Sequence, residues 1–269
     1  MAAKGGLYGC QDPACWRRVR DLHWAVVEAK GSERKGLAGL EKWYQEELPA
    51  ALAGRKEKHL TQGEVVKLMQ WKLTVSHFPA EWPRAASQPY NGSGCTAGTG
   101  VSAPHGLRHL FQRGKFRPRL QQLVATNSQE TVERCTRKAF QLLPDVAAAI
   151  TELSQLKAIG PATASAILAA GAPEVVAFMA DEAVESIPGL TPIKYSLKHY
   201  ICYLDRIQLC TKKLNEVDKE KDWTPHQVEM CLWAWAVAQK LCPALLQTLC
   251  LGEEEAGEDA RATKKQKTK

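Results

Sequence analysis

The 269-residue chain is expected to fold as an all-α protein of about nine or ten helices. Three observations lead there. Apolar residues recur at three- and four-residue intervals through most of the chain. No stretch alternates apolar and polar residues as a half-buried strand would. Helix start and stop signals punctuate the periodic segments.

Trp16 to Ala29 reads as a first helix, with Val19, Leu22, Val26 and Val27 to one side, and Leu37 to Leu52 as a second. Thr61 and Glu64 have the spacing of a capping box, in which each side chain satisfies the other residue's backbone amide; it opens a helix from Gln62 to Leu73. Arg117 to Thr126 is a short helix, and Asn127 with Glu130 is expected to cap the next, which runs to Leu143. Pro144 stops that helix and begins another, Asp145 to Leu156. After a tight turn at Lys157 to Gly160, Pro161 takes the first position of an Ala-rich helix ending near Gly171. Later helices are expected at Asp181 to Ile187, Pro192 to Asn215 and Thr224 to Gln239.

Two segments lack periodicity. Residues 75–112 are rich in Gly, Pro, Ser and Ala, and removing them joins Trp71-Lys72-Leu73-Thr74 directly to Arg113-Gly114-Lys115-Phe116-Arg117. A structureless loop of that length inside a domain is unusual, so the segment reads as a disordered insertion. Residues 252–269 are acidic, then basic, with nothing apolar to bury, and read as a disordered tail. The expected organisation is an N-terminal helical region (1–59), a helical domain (60–251) and that tail.

Net charge is +7 and the pI about 8.9; the tail holds five acids and five bases, so the excess lies on the body and admits a polyanion as partner. Nine cysteines at irregular spacings, none in a paired C-x-x-C, argue against a disulfide framework and against a zinc site, and fit a reducing compartment. No apolar run is long enough to cross a membrane, and the N-terminus lacks the apolar core of a secretory signal. Lys264-Lys265-Gln266-Lys267 is a short basic cluster of the kind that directs nuclear import, or simply a solubilising tail.

The most informative stretch is Leu156 to Asp181. One helix ends, the chain turns through Lys157-Ala158-Ile159-Gly160, and a second helix starts at Pro161. Amides around Gly160, Ala162 and Thr163 would lack partners at that new N-terminus and would suit a phosphate. A buried helical hairpin with no ligand is the plain alternative. Asp181 follows Gly160 by 21 residues, at the end of the apolar run Val175-Val176-Ala177-Phe178-Met179. An Asp there serves either as a helix cap or as chemistry. Arg113, Lys115, Arg117 and Arg119 surround Phe116 with no acid among them; they form either a solvated face or a backbone-binding patch.

Leu156, Ile159, Gly160, Thr163, Ala164 and Asp181 together resemble the helix-hairpin-helix DNA glycosylase superfamily, whose hairpin is followed by an apolar run ending in the catalytic Asp. The stretches WKL, RGKFRP and GPATASA are similar to those of a eukaryotic Amun-like, glycosylase-like group. The resemblance implies a two-lobed helical domain acting as a monomer on duplex DNA in the nucleus. It implies Asp181 as the carboxylate that stabilises the cationic sugar formed when an N-glycosidic bond breaks. It gives Lys157, Ile159, Gly160, Pro161, Ala162, Thr163 and Ala164 a DNA-gripping role; Trp71, Tyr195, Trp233 and Trp235 are candidates for the pocket of an extruded base, with plain core packing as the alternative for each. No cofactor is implied beyond a monovalent cation at the hairpin's backbone carbonyls. There are departures. Lys157 and Ala158 replace the usual Pro and first Gly, and Ala tolerates a left-handed turn poorly. Ala162 stands where bifunctional members carry a nucleophilic Lys, so no Schiff base forms there. Three functions stay open: a monofunctional glycosylase, a catalytically inactive DNA- or chromatin-binding protein on the same fold, and a helical protein-interaction module; only the first two would bind duplex DNA with strong salt dependence.

Overall fold

The computed structural model describes residues 6–32, 34–76 and 117–247, and every regular element among them is helical. Apart from Val75 and Ser76, the segment 75–112 lies outside these residues, as do the tail 252–269, Arg113, Lys115 and the Lys264 to Lys267 cluster.

The N-terminal region begins with α1 (Pro13–Asp21) and α2 (His23–Gly31), where periodicity predicted one helix. Asp12 caps α1 by accepting from the Ala14 amide, and Pro13 sits at the first position, where a missing N–H costs nothing. Next, α3 (Leu37–Lys42), a π-helical turn (Trp43–Glu47) and α4 (Leu48–Ala53) run on as one rod. Pro49 accounts for the wide turn. It has no amide to donate, and the rod accommodates it one residue early, with the Leu48 amide reaching back to the Trp43 carbonyl. α5 (Gln62–Val75) starts in the expected capping box.

The chain resumes with α6 (Arg117–Val124), α7 (Gln129–Leu142) and α8 (Val146–Leu153). Ser128, not Asn127, caps α7, its hydroxyl accepting from the Thr131 amide. Then come α9 (Pro161–Gly171), the single-turn α10 (Asp181–Glu185), α11 (Leu197–Val217) and α12 (Pro225–Leu241). α11 begins later than predicted because Ser196, not Pro192, opens it, its hydroxyl accepting from the His199 amide.

Two of these helices are hubs. A helix that is apolar on all sides belongs inside, and α9 is buried from Ala162 to Gly171. Its Ala and Gly side chains let α4, α5, α7, α8 and α11 close around it. A Cβ on Gly171 would come within 2.6 Å of the Phe140 ring, which would have to shift to admit it. α12 is the second hub, ringed by α1, α2, α10 and α11. It buries Val228, Cys231, Leu232, Trp233, Val237 and, unexpectedly, His226 and Glu229. α11 touches both hubs. Among the described residues, no helix is long and apolar enough to cross a membrane.

Candidate functional site

The turn between α8 and α9 is built around one side chain. Asn127, buried in the loop before α7, donates from Nδ2 to the carbonyls of Val124 (2.8 Å) and Lys157 (3.1 Å), and its Oδ1 accepts from the Lys157 amide at 2.9 Å. This is why Asn127 does not cap α7: both ends of its amide are committed to the turn. The clamp also fixes the end of α6 against the turn. Arg119, exposed on α6, lies five residues before Val124, roughly 8 Å along the helix. Ala158 takes φ +65°, the left-handed conformation that its methyl group disfavours.

Of the residues expected to grip DNA, Lys157 is exposed and Gly160 and Pro161 are half-buried, while Ile159, Ala162, Thr163 and Ala164 are buried. The expectation that the Thr163 amide would lack a partner is corrected. The first turn of α9 is tight, and the Gly160 carbonyl accepts from both Thr163 (3.0 Å) and Ala164 (2.9 Å). Thr163 Oγ1 in turn accepts from Lys72 Nζ at 2.9 Å, a cation that sequence reading missed because α5 is distant in the chain.

From the end of α9 the chain runs back along it. The Val176 amide bonds to the Ala172 carbonyl, and the Met179 amide donates 3.0 Å to Ser165 Oγ, one turn into α9. Tyr200 and Tyr203 hold the carbonyls of Ala177 and Phe178. Asp181 lies two residues beyond Met179 and opens α10. Its side chain does not cap: Ala180 is the cap residue and Asp181 the first residue of α10. The half-buried carboxylate instead accepts 2.7 Å from the hydroxyl of Tyr195, a 44% exposed residue flanked by the exposed Lys194 and Lys198. Behind Asp181, Glu182 is buried beside Lys30, whose Nζ lies 3.7 Å from Glu182 Oε1 and donates 2.6 Å to the Val75 carbonyl at the end of α5. Burial pushes Glu182 above the usual carboxylate range against the pull of Lys30, and pushes Lys30 below the usual lysine value.

Trp71 and Tyr195 do not share one location. Trp71 is buried on α5, stacked on Tyr44 at a ring separation of 3.5 Å, and its Nε1 donates 2.7 Å to Glu41 Oε2. It lines a small cavity of about 10 Å³, room for about one water, together with His23, Glu41, Gln45, Val75, Phe178, His226, Glu229, Met230 and Trp233. Glu41 Oε1 faces His23 Nε2 at 3.1 Å and accepts from Gln45 Nε2 at 2.9 Å; His226 Nε2 meets Gln45 Oε1 at 3.1 Å. His226 Nδ1 stands 3.0 Å from Glu229 Oε2, within ion-pairing range but outside hydrogen-bond geometry. Burial pushes both glutamates up. At Glu41 the contacts from His23, Trp71 and Gln45 outweigh burial and hold it below the usual range, whereas Glu229 stays above it against the pull of His226.

Arg117 opens α6. Among the described residues no cluster of His, Cys, Asp or Glu has the arrangement of a metal site. No protein-family model, curated protein or solved structure matches the chain.

Proposed function

We propose that the chain is a monofunctional DNA glycosylase that removes an extruded base from duplex DNA. The observation that carries the reading is the return of the chain along α9, pinned where the Met179 amide meets Ser165, with a half-buried carboxylate, Asp181, two residues beyond that contact. A carboxylate there stabilises the positive charge that builds on the sugar as the N-glycosidic bond breaks, and orients the attacking water. Exposed Arg119, Lys157, Lys194 and Lys198 are the residues this reading assigns to phosphate contacts. Ala162 offers only a methyl group, so water rather than an amine is the nucleophile and the strand stays intact after base loss.

The test is incubation of the full chain with a panel of lesion-bearing duplexes, assaying released base. Base release is expected, with strand breakage only after alkali or heat and no covalent adduct trapped by borohydride. A trapped adduct would contradict the monofunctional mechanism. A second reading, a DNA-binding protein on this scaffold without catalysis, is favoured by the engaged Thr163 amide and the strained Ala158. It predicts salt-dependent duplex binding with no base released from any lesion.

A further inference from the structure

The basic surface beside Asp181 lies close to the end of α12, from which the acidic part of the chain departs. Lys194 and Lys198 are exposed on either side of Tyr195, and among the described residues neither pairs with an acid. Tyr195 holds Asp181 at one end of α10, a helix only about 6 Å long. At the other end of α10, Glu185 Oε2 lies 3.7 Å from Lys240 Nζ, in the last turn of α12. One short helix therefore separates the end of the second hub from the lysines. Beyond Gln247, the last described residue, Glu253, Glu254, Glu255, Glu258 and Asp259 put five acids in seven residues with no base among them. The dozen residues from Thr248 to Asp259 reach up to about 40 Å when extended, several times the length of α10. Single exposed ion pairs are weak and screened by salt. A tether changes the balance, because it holds the acidic run at an effective concentration on the order of millimolar.

We propose that the acidic run Glu253 to Asp259 docks on the surface formed by Lys194 and Lys198 and competes there with an anionic polymer for the same ammonium groups. The chain then carries its own competitor. A polymer that binds must displace the run, and the cost of doing so falls as salt screens the contact. Pairing of the run with the five bases that follow it, Arg261 to Lys269, is the competing arrangement, and the test separates the two. The docking itself follows from charge and tether; that the displaced polymer is duplex DNA rests on the glycosylase reading.

The test is carbodiimide cross-linking of the full chain in dilute solution, which joins a carboxylate to an amine only where the two touch, with the joined peptides mapped by mass spectrometry. Links from Glu253 to Asp259 onto Lys194 or Lys198 of the same molecule are expected. They should be at least about tenfold more abundant than links to Lys212 or Lys213, also exposed on α11, and should be lost at about 1 M salt. Links to Lys264, Lys265 and Lys267 alone, or spread evenly over exposed lysines, would overturn the proposal. A double-mutant cycle on duplex binding gives a second readout. Neutralising the run (Glu253→Gln, Glu254→Gln, Glu255→Gln, Glu258→Gln and Asp259→Asn) should tighten binding about tenfold at low salt. The gain should fall below about twofold once Lys194→Gln and Lys198→Gln have removed the docking groups. An equal gain in both backgrounds would mean that the run acts through net charge alone, and would also overturn the proposal. The two readings fail separately. Links to Lys194 or Lys198 in a chain that neither binds duplex nor releases base uphold the docking and count against the glycosylase. Base release without such links does the reverse.

Discussion

The edge around Asp181 and the cavity around Glu229 hold their carboxylates in opposite ways. Asp181 is half-buried, accepts one hydrogen bond from an exposed tyrosine, and has lysines on the neighbouring surface. Glu229 is 3% exposed, faces an imidazole in poor geometry, and is held above the usual carboxylate range by burial. The first arrangement leaves a carboxylate within reach of the surface. The second keeps an acceptor out of water, where its selectivity for a donor is greatest because an unpaired partner there is most costly. One carboxylate is open to a macromolecule and the other is closed in by packing.

That contrast can be broken most forcefully at Glu41, which anchors the cavity. Glu41→Ala removes the partner of His23, Trp71 and Gln45 at once. It should destabilise the fold by about 3–5 kcal/mol, measured by denaturant unfolding; a cost below about 1 kcal/mol would mean the network is slack. On the other side, Asn127→Ala leaves the Lys157 amide and carbonyl without their clamp. The expected cost is about 2 kcal/mol, accompanied by faster amide exchange confined to the α8–α9 turn. Exchange that rises evenly across the molecule would show that Asn127 does not control the turn.

Two smaller changes sharpen the comparison. Ala158→Gly relieves a left-handed backbone that costs Ala about 1–2 kcal/mol, part of which returns through the greater freedom of glycine in the unfolded chain, leaving a gain of roughly 0.5 kcal/mol. A loss of stability would place the methyl group in useful contact. Glu229→Gln should raise the thermal midpoint at neutral pH. The folded carboxyl lies above its ordinary value of 4.5, so the folded state binds more protons than the unfolded one and wild-type stability falls as pH rises through that window. Gln has no such titration. The advantage of the variant should therefore be absent below about pH 4.5 and grow as pH rises. An advantage that shrinks with rising pH would mean Glu229 is stabilised as an ion by His226.

The edge was far more legible than the cavity. Thr61 with Glu64, Pro161, and the spacing from Gly160 to Asp181 are local signals, and the helices they mark start where predicted. In the sequence Asn127 reads as a helix cap, because the turn it clamps is 30 residues away and a sequence carries no record of that contact. The break at Leu22 and the π-helical turn leave the apolar spacing almost intact, so periodicity merged α1 with α2 and passed over the turn. His23, Glu41, Gln45 and Glu229 come from three distant parts of the chain, and on a helix each reads by default as solvent-facing. A faint signal was present at Glu229. It sits between Val228 and Leu232 in a helix apolar on nearly every side, where a carboxylate has no ordinary reason to be.

On the proposed reading, Asp181 supplies the charge for base excision. Its direct measurement is base release by wild type and Asp181→Asn on the best duplex from the lesion panel, with duplex affinity measured in parallel. Asn keeps the size and the oxygen that accepts from Tyr195 but removes the charge. Release should fall on the order of a hundredfold or more, while affinity holds or rises slightly. Undiminished base release by Asp181→Asn would contradict the account.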